Sequence, residues 1–484
     1  MTVETAGATA APVWLDSAAR DLLARRIDRA LNLARRDGRR ALAAVTVPVA
    51  AAVDVSAAVM AARRTDDRFF CLEQPERGGA ALATLGEATM IEATGPGRFA
   101  DAAHAQRELA SRVIGGDADA DPERPDGAGP VLVGGFAFAP GGGSTPEWSS
   151  LAPCQLVMPE LAFARGRGQA RLTVCAGVDG DEAPTAVLER VDARLAELRP
   201  AVMPLLDPDP TVRPRVSGAT APSHHEAAVG RAVERIRAGE LSKVVLAREV
   251  RVHAPAQIDP APVFDALRGA FPACYCWCVG TPELAFIGAS PELLVRRDGA
   301  RAQTVALAGT TRRSADPAVD DHLGEQLAAS EKNREEHAIV AQRIERTLSP
   351  VSVWVTAAEE PVLVKVQNLQ HLATPIRAQL AESVPVLELA GRLHPTPAVG
   401  GEPWEVAEPL IPALEGLDRG WYTGPIGWTD MSQDGEFFVA LRCALLRGKV
   451  AHLYAGGGIV RDSVPSEELD EIEVKLEALL PLLS

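Results

Sequence analysis

Two acidic segments of this 484-residue chain, SEKNREEHAIV around Glu336 and PSEELDEIEVKLEALL around Glu471, set carboxylates beside apolar stripes at helical spacing. An unpaired charge at the edge of a core is costly and a cation relieves it, so the segments point to a metal site. In the second, Leu469, Ile472, Leu476, Leu479 and Leu480 define the buried face. Glu468, Glu471 and Lys475 form their own stripe about a quarter turn away, at ~100° per residue. On this helix alone a solvated face is the better reading, with Glu471 and Lys475 an i,i+4 pair worth ~0.3 to 0.5 kcal/mol. The first segment shifts the balance. There Glu336 shares a side with Asn333, Ile339, Val340 and Ile344, whereas Glu331 and Glu335 face solvent. Oxygen ligands from two segments, completed by water and a substrate oxygen, are how Mg2+ is held. No Cys or His cluster offers a zinc alternative.

Composition limits the partners. A net charge of -16 argues against nucleic acid and anionic membrane, so an anionic substrate would need a local basic pocket. The early residues lack a secretory pattern, and the apolar run Ala41 to Val53 falls short of the ~18 residues of a membrane span. The chain reads as soluble and cytoplasmic. Seven cysteines show no metal spacing, and Cys274, Cys276 and Cys278 alternate onto one strand face, as buried thiols of a reducing compartment would.

The elements that must carry these residues follow from periodicity. Leu22 to Leu33 predicts an amphipathic helix, Gly115 to Pro130 and Pro140 to Pro146 predict loops, and Pro200 to Pro222 predicts a linker. Beyond His224 come a helix over Glu226 to Ala238, strand KVVLAREVRV, and strands CYCWCVG, LAFIGAS and ELLVRR. One long helix over Asp320 to Thr347, strands VALRCALLR and KVAHLYAGGGIV and a final helix complete the chain. Strand runs mixed with helix runs favour α+β over a doubly wound sheet.

The ordered series KVVLAR, IGASPELLV, ALAGTTRR, SEKNREEHAIV, HPTPAVGG, GWYTGPIGW, ALRCALL, LYAGGGIV and EIEVKL resembles the chorismate-binding enzymes, the isochorismate synthases above all. The resemblance spans residues 223–484, a catalytic region; residues 1–222, with RFFCLEQP and VGGFAF, resemble the family's more variable N-terminal half, where Cys71-Leu72 departs from the expected aromatic. It implies an α+β fold of two large, mainly antiparallel sheets packed together with helices outside. The two halves would intermix, making Pro200 to Pro222 a surface crossing.

The resemblance also implies roles. Lys243 matches the general base; taken alone it would default to a strand-end side chain reaching for solvent, and as a base it must be neutral, which desolvation favours. Ammonia-using relatives typically lack this lysine, so its presence implies water as nucleophile. Glu292 in SPEL matches the general acid, whose pKa burial would raise. Glu336 and Glu471 match Mg2+ ligands, with Asn333 and Glu468 supporting them and Lys475 facing a carboxylate. Arg442 and Tyr422 match the holders of the enolpyruvyl carboxylate, an inward guanidinium in an apolar strand needing an anion. Gly456, Gly457 and Gly458 would let the backbone approach the ligand, although a bulge or turn has the same composition. Gly309 and Thr310 would line the ring, and His371 would stand beside the metal pocket, unless it is a satisfied core histidine. Ala398 stands where ammonia-using and salicylate-forming relatives usually carry Thr, and Ala308 where many aminodeoxychorismate synthases carry Lys.

The implied activity is Mg2+-dependent conversion of chorismate to isochorismate, for menaquinone or siderophore biosynthesis, by a monomer needing no glutamine amidotransferase. Salicylate synthase is the alternative reading, and a non-catalytic chorismate-binding protein a third.

Overall fold

Tyr275, Trp277 and Val279 point to one side of their strand and Cys276 and Cys278 to the other, and the two sides lie in different layers of the core. That alternation runs through a computed structural model describing residues 13–115, 121, 123–207, 213–366 and 369–483. The cysteine side packs with helices, Cys276 Sγ lying 3.3 Å from the Phe271 carbonyl at the end of helix Pro260–Ala270. All seven cysteines are free and buried. The aromatic side meets Val131, Val133, Ile426, Trp428 and Phe438 of a second sheet. Strands covered on both faces carry almost no polar residues, as Tyr275–Gly280 and Ala285–Ser290 show.

Among the described residues the first sheet has 13 strands and the second 10, and every pairing is antiparallel except that of Ala41–Val49 with Val113–Ile114. Both draw strands from either side of residue 222. In the first, Phe69–Gln74 pairs with Tyr275–Gly280; in the second, Val131–Phe136 pairs with Pro425–Asp430. Helices cover the outer faces. Helix Ser17–Asp37 buries Leu23, Ile27, Ala30, Leu31 and Ala34, is capped by Asp16 accepting from the Ala19 amide, and stops at Gly38 in left-handed conformation. The fold is α+β, as the mixed strand and helix runs favour, with the two mainly antiparallel sheets that the resemblance implies.

Three local expectations need correction. The single helix over Asp320 to Thr347 is two, Pro317–Ala329 and Glu331–Leu348, because Ser330 turns extended and its hydroxyl caps the Asn333 amide of the second. The linker Pro200 to Pro222 contributes an edge strand, Arg215–Gly218, paired with Lys243–His253; residues 208–212 lie outside the described residues, as do 116–120 and 122 of the loop Gly115 to Pro130. The run VALRCALLR is not one strand. Gly435–Val439 belongs to the 10-stranded sheet and Cys443–Arg447 to the 13-stranded one, and the chain crosses between them at Ala440 to Arg442.

Candidate active site

Two such crossings lie side by side and deliver the two polar groups that matter most. Ala285–Ser290 ends in the larger sheet and Leu293–Asp298 begins in the smaller, so Pro291 and Glu292 span the gap. The Val439 amide donates to the Glu292 carbonyl at 3.0 Å and the Ala289 amide to the Arg442 carbonyl at 3.1 Å, locking each crossing to the other's strand. Arg442 is held at φ 47°, a left-handed conformation costing ~1 to 3 kcal/mol for a residue with a side chain. The period-2 pattern around Arg442 is therefore incidental to its placement.

A cavity opens beside the crossings, with about 770 Å³ of empty space, open solvent at its mouth included. Its walls carry Glu292, Gly309, Thr310, Glu336, His371, Ala398, Tyr422, Arg442, Gly456, Gly458, Glu471 and Lys475. Gly309 sits at a bulge in Arg301–Arg312 with φ 76°, which turns Thr310 toward His371. Ala308 lines the same wall.

Lys243 lies behind that wall rather than in it. Wholly buried at the start of strand Lys243–His253, it places Nζ 2.9 Å from Glu336 Oε1 and completes no hydrogen bond among the described residues. Gly458 is what leaves room for the pair: a Cβ there would overlap Glu336 Oε1 and come within 3.0 Å of Lys243 Cε. Gly456 faces Tyr422, whose hydroxyl would be 3.0 Å from an added Cβ. Gly457 faces the opposite side, toward Glu468 and Ile472 of helix Pro465–Leu476, and does not line the cavity. Asn333 is also off the wall, its amide donating to Ser330 Oγ at 2.9 Å.

Glu292 is buried, and burial pushes its carboxyl up to about 8 against the opposing pull of nearby Lys243. The Thr396 hydroxyl lies beside it without completing a hydrogen bond. Glu292 therefore carries a proton at neutral pH. Arg442 is buried too, its guanidinium 2.6 Å from His371 Nε2, and it makes no ion pair among the described residues. Because a guanidinium only donates, His371 Nε2 must accept and Nδ1–H donates to Thr310 Oγ1 at 3.1 Å. Burial and the neighbouring Arg442 and Lys475 charges hold that imidazole far below its usual value, hence neutral. A buried guanidinium whose side-chain partners are neutral, His371 and at 3.9 Å Cys274 Sγ, is a ready receptor for a carboxylate.

The acidic helices meet at the same cavity. Glu336 comes from Glu331–Leu348 and Glu471 from Pro465–Leu476, and each is matched by a lysine, Glu336 by Lys243 and Glu471 by Lys475 at 2.7 Å. Glu468, off the cavity wall, pairs with Lys332 at 3.1 Å, and burial together with the Glu471 charge pushes its carboxyl up. Lys475 also donates to the Gly456 carbonyl at 2.9 Å. Among the described residues no three His, Cys, Asp or Glu side chains are gathered as a metal cluster. Glu336 and Glu471 bring carboxylate oxygens to the cavity, each already in an ion pair with a lysine, and oxygen is the donor that suits a hard divalent cation rather than a soft one.

Three contributors escaped the sequence reading. Lys332 stands one turn before Glu336, a cation at i-4 that periodicity could have exposed. Thr396 sits inside HPTPAVGG, unremarked between its prolines. The third is a buried strut: Arg419 bonds Glu415 Oε2 at 3.0 Å, the Val245 carbonyl at 2.9 Å, the Val399 carbonyl at 2.8 Å and Thr423 Oγ1 at 3.2 Å. It ties the lysine strand, the Ala398 loop and the Tyr422 turn together, and no spacing rule announces it.

Many known proteins match this chain in sequence or in fold. Isochorismate synthase MenF of Bacillus subtilis is 36% identical over 73% of this chain and 75% of its own length. The salicylate biosynthesis isochorismate synthase of Pseudomonas aeruginosa is 37% identical over 87% of this chain and 86% of its own. Among solved structures, the menaquinone-specific isochorismate synthase MenF of Escherichia coli superposes with a TM-score of 0.74 at 28% identity, covering 95% of this chain and all of that one. The family model described as chorismate binding enzyme matches residues 28–484, so the match takes in most of the N-terminal half as well. With its fold, its ordered motifs and that match in agreement, the chain belongs to the chorismate-binding enzyme family.

Proposed function

We propose that this protein is an isochorismate synthase, transferring a hydroxyl function from C4 of chorismate to C2 by addition of water and loss of the C4 hydroxyl. The observation that carries the reading is a buried, protonated Glu292 in the wall of a cavity whose floor hides a lysine. Arg442, lacking a carboxylate partner, takes the enolpyruvyl carboxylate, with Tyr422 and the Gly456 backbone alongside. Lys243 Nζ accepts the proton of the attacking water, and Glu292 gives its own to the departing hydroxyl, which leaves as water while the ring double bonds shift. Each step contributes ~10²- to 10⁴-fold. The ammonium and carboxylate so formed exchange their proton afterwards through solvent. Lys243 Nζ, 2.9 Å from Glu336 Oε1, comes to face the cavity as that pair loosens.

Glu336 and Glu471 would hold Mg2+, which supplies a Lewis acid for the ring carboxylate. Ala398 and Ala308 leave that part of the wall without a hydroxyl or an amine, in keeping with water rather than ammonia or a lysine as nucleophile. The product would feed menaquinone or siderophore biosynthesis from a cytoplasmic, stand-alone monomer. The test is incubation of chorismate and Mg2+ with the wild type, Lys243→Ala and Glu292→Gln. Isochorismate from the wild type and none from either folded variant supports the assignment, and turnover retained in either overturns it.

A further inference from the structure

The residues that carry the proposed chemistry begin at Lys243, which leaves the N-terminal half without a part in it. The glycine loop Pro140 to Pro146 runs against that division. It leads into a single 3-10 turn, Pro146–Trp148, whose indole is wholly buried although Pro146 and Ser149 on either side of it are exposed. Trp148 stacks on Tyr454, centroids 5.7 Å and planes 28° apart, and Tyr454 stacks in turn on Tyr422 at 5.3 Å and 19°. Phe286 braces the column from the side, edge-on to Trp148 at 5.1 Å. Stacked rings at such separations attract one another beyond the area they bury.

The column ends at the catalytic cavity. Tyr454 and Gly456 share one side of strand Val450–Ile459 and both line the cavity, with the Tyr422 hydroxyl beside Gly456. The segment bearing Trp148 is tied to the elements on either side. The Asp418 carboxylate, four residues before Tyr422, accepts from the Gly143, Ser144 and Thr145 amides at 3.0, 2.7 and 3.2 Å and from the Gly420 amide at 2.9 Å. Arg447, on the strand that follows Arg442, donates to the Glu147 carbonyl and to Ser149 Oγ, each at 3.1 Å. Gly420, at φ 50°, lets the Tyr422 turn close on the indole, since a Cβ there would overlap the Trp148 ring.

We propose that Trp148 and Tyr454 are positioning residues that aim Tyr422 into the cavity, so that the N-terminal half helps to build the carboxylate site. The inference rests on the reading of Tyr422 as a partner of the substrate's enolpyruvyl carboxylate. A phenol swings about two side-chain torsions, and Tyr422 hangs from a turn whose next residue, Thr423, is left-handed at φ 62°. Stacking on Tyr454, itself backed by Trp148, selects one setting of those torsions and places the hydroxyl before substrate arrives. Without the indole the column has a void to slide into, and a shift of ~1 Å at the hydroxyl is enough to forfeit a hydrogen bond to the ligand.

The chain has three tyrosines, Tyr275, Tyr422 and Tyr454, so fluorine NMR of the full chain carrying fluorotyrosine reads the column directly. Tyr422→Phe and Tyr454→Phe assign the resonances, and Tyr275, stacked on Phe438, is the control. Trp148→Leu, which removes the ring, should shift or broaden the Tyr454 and Tyr422 resonances and leave that of Tyr275 in place, whereas Trp148→Phe, which keeps a ring, should restore both. In chorismate turnover Trp148→Leu should raise KM about tenfold, the loss of one charge-assisted hydrogen bond, with kcat within about twofold of wild type. That rise should vanish in a Tyr422→Phe background, because the two residues act as one. A KM rise that persists there, or a Tyr275 resonance disturbed as much as that of Tyr422, would mark a merely structural role and overturn the proposal. A wild type that leaves chorismate unchanged would sink the proposed function, whereas a Tyr422 resonance unmoved by Trp148→Leu beside normal wild-type turnover would sink this inference alone.

Discussion

Replacing Glu292 by Gln removes a titrating group while keeping its shape, and the structure fixes how stability should respond to pH. In the unfolded chain this carboxyl has the ordinary glutamate value of 4.5; in the fold it is pushed up to about 8. Below 4.5 both states hold the proton and pH has no effect through this residue. Between 4.5 and 8 the unfolded chain gives up its proton while the fold keeps it, so the unfolded state binds fewer protons and wild-type stability falls as pH rises. Above 8 both states are ionised and the loss is complete. At ~1.36 kcal/mol per pH unit the full loss is ~5 kcal/mol, and about 3 kcal/mol of it has accrued by pH 7. A carboxyl that is only 3% exposed has little solvent to screen this. Gln does not titrate. Urea unfolding of both proteins at pH 5, 7 and 9 should therefore show Glu292→Gln gaining on the wild type by several kcal/mol across the series. In the same series, wild-type turnover should decline above about pH 8 as the donor ionises. Parallel stability curves for the two proteins would refute the buried, protonated acid on which the catalytic assignment rests.

Three further outcomes follow from the geometry. Gly458→Ala displaces Glu336 from Lys243 and should lower turnover about 100-fold, whereas Gly457→Ala, with 3.5 Å to Glu468, should behave like wild type in steady-state assays. Arg442→Gln leaves the substrate carboxylate without its charge-assisted bonds, so KM should rise about 10- to 100-fold with a smaller change in kcat. Chelator treatment should abolish turnover and Mg2+ restore it, and calorimetric Mg2+ binding should weaken in Glu336→Gln and Glu471→Gln but survive in Gly457→Ala.

Much of this was legible because each motif occupies one element and local periodicity announces the element. The cysteine face of CYCWCVG, the amphipathic first helix and the carboxylate stripes of the acidic helices stand where their spacing places them. What escaped is what only the third dimension sets. The pattern of VALRCALL continues unbroken across a change of sheet, so period 2 gave no sign that Arg442 turns left-handed between two strands. Ser330 carried a capping signal that a continuous helical pattern overrode. The pairing of each acidic-site carboxylate with its own lysine joins residues 93, 136 and 4 positions apart, and only the last separation lies within reach of a helical rule. Lys243, which taken alone reads as a strand-end side chain reaching for solvent, is wholly buried, and its seat behind Glu336 depends on a glycine more than two hundred residues away.

The central claim is that this cavity isomerises chorismate with water as nucleophile. Chromatographic analysis of chorismate incubated with the full chain and Mg2+ at neutral pH tests it most directly. Isochorismate as the accumulating product, absent with Glu292→Gln, is the predicted result. Salicylate and pyruvate as the main products, or chorismate left unchanged, would contradict it.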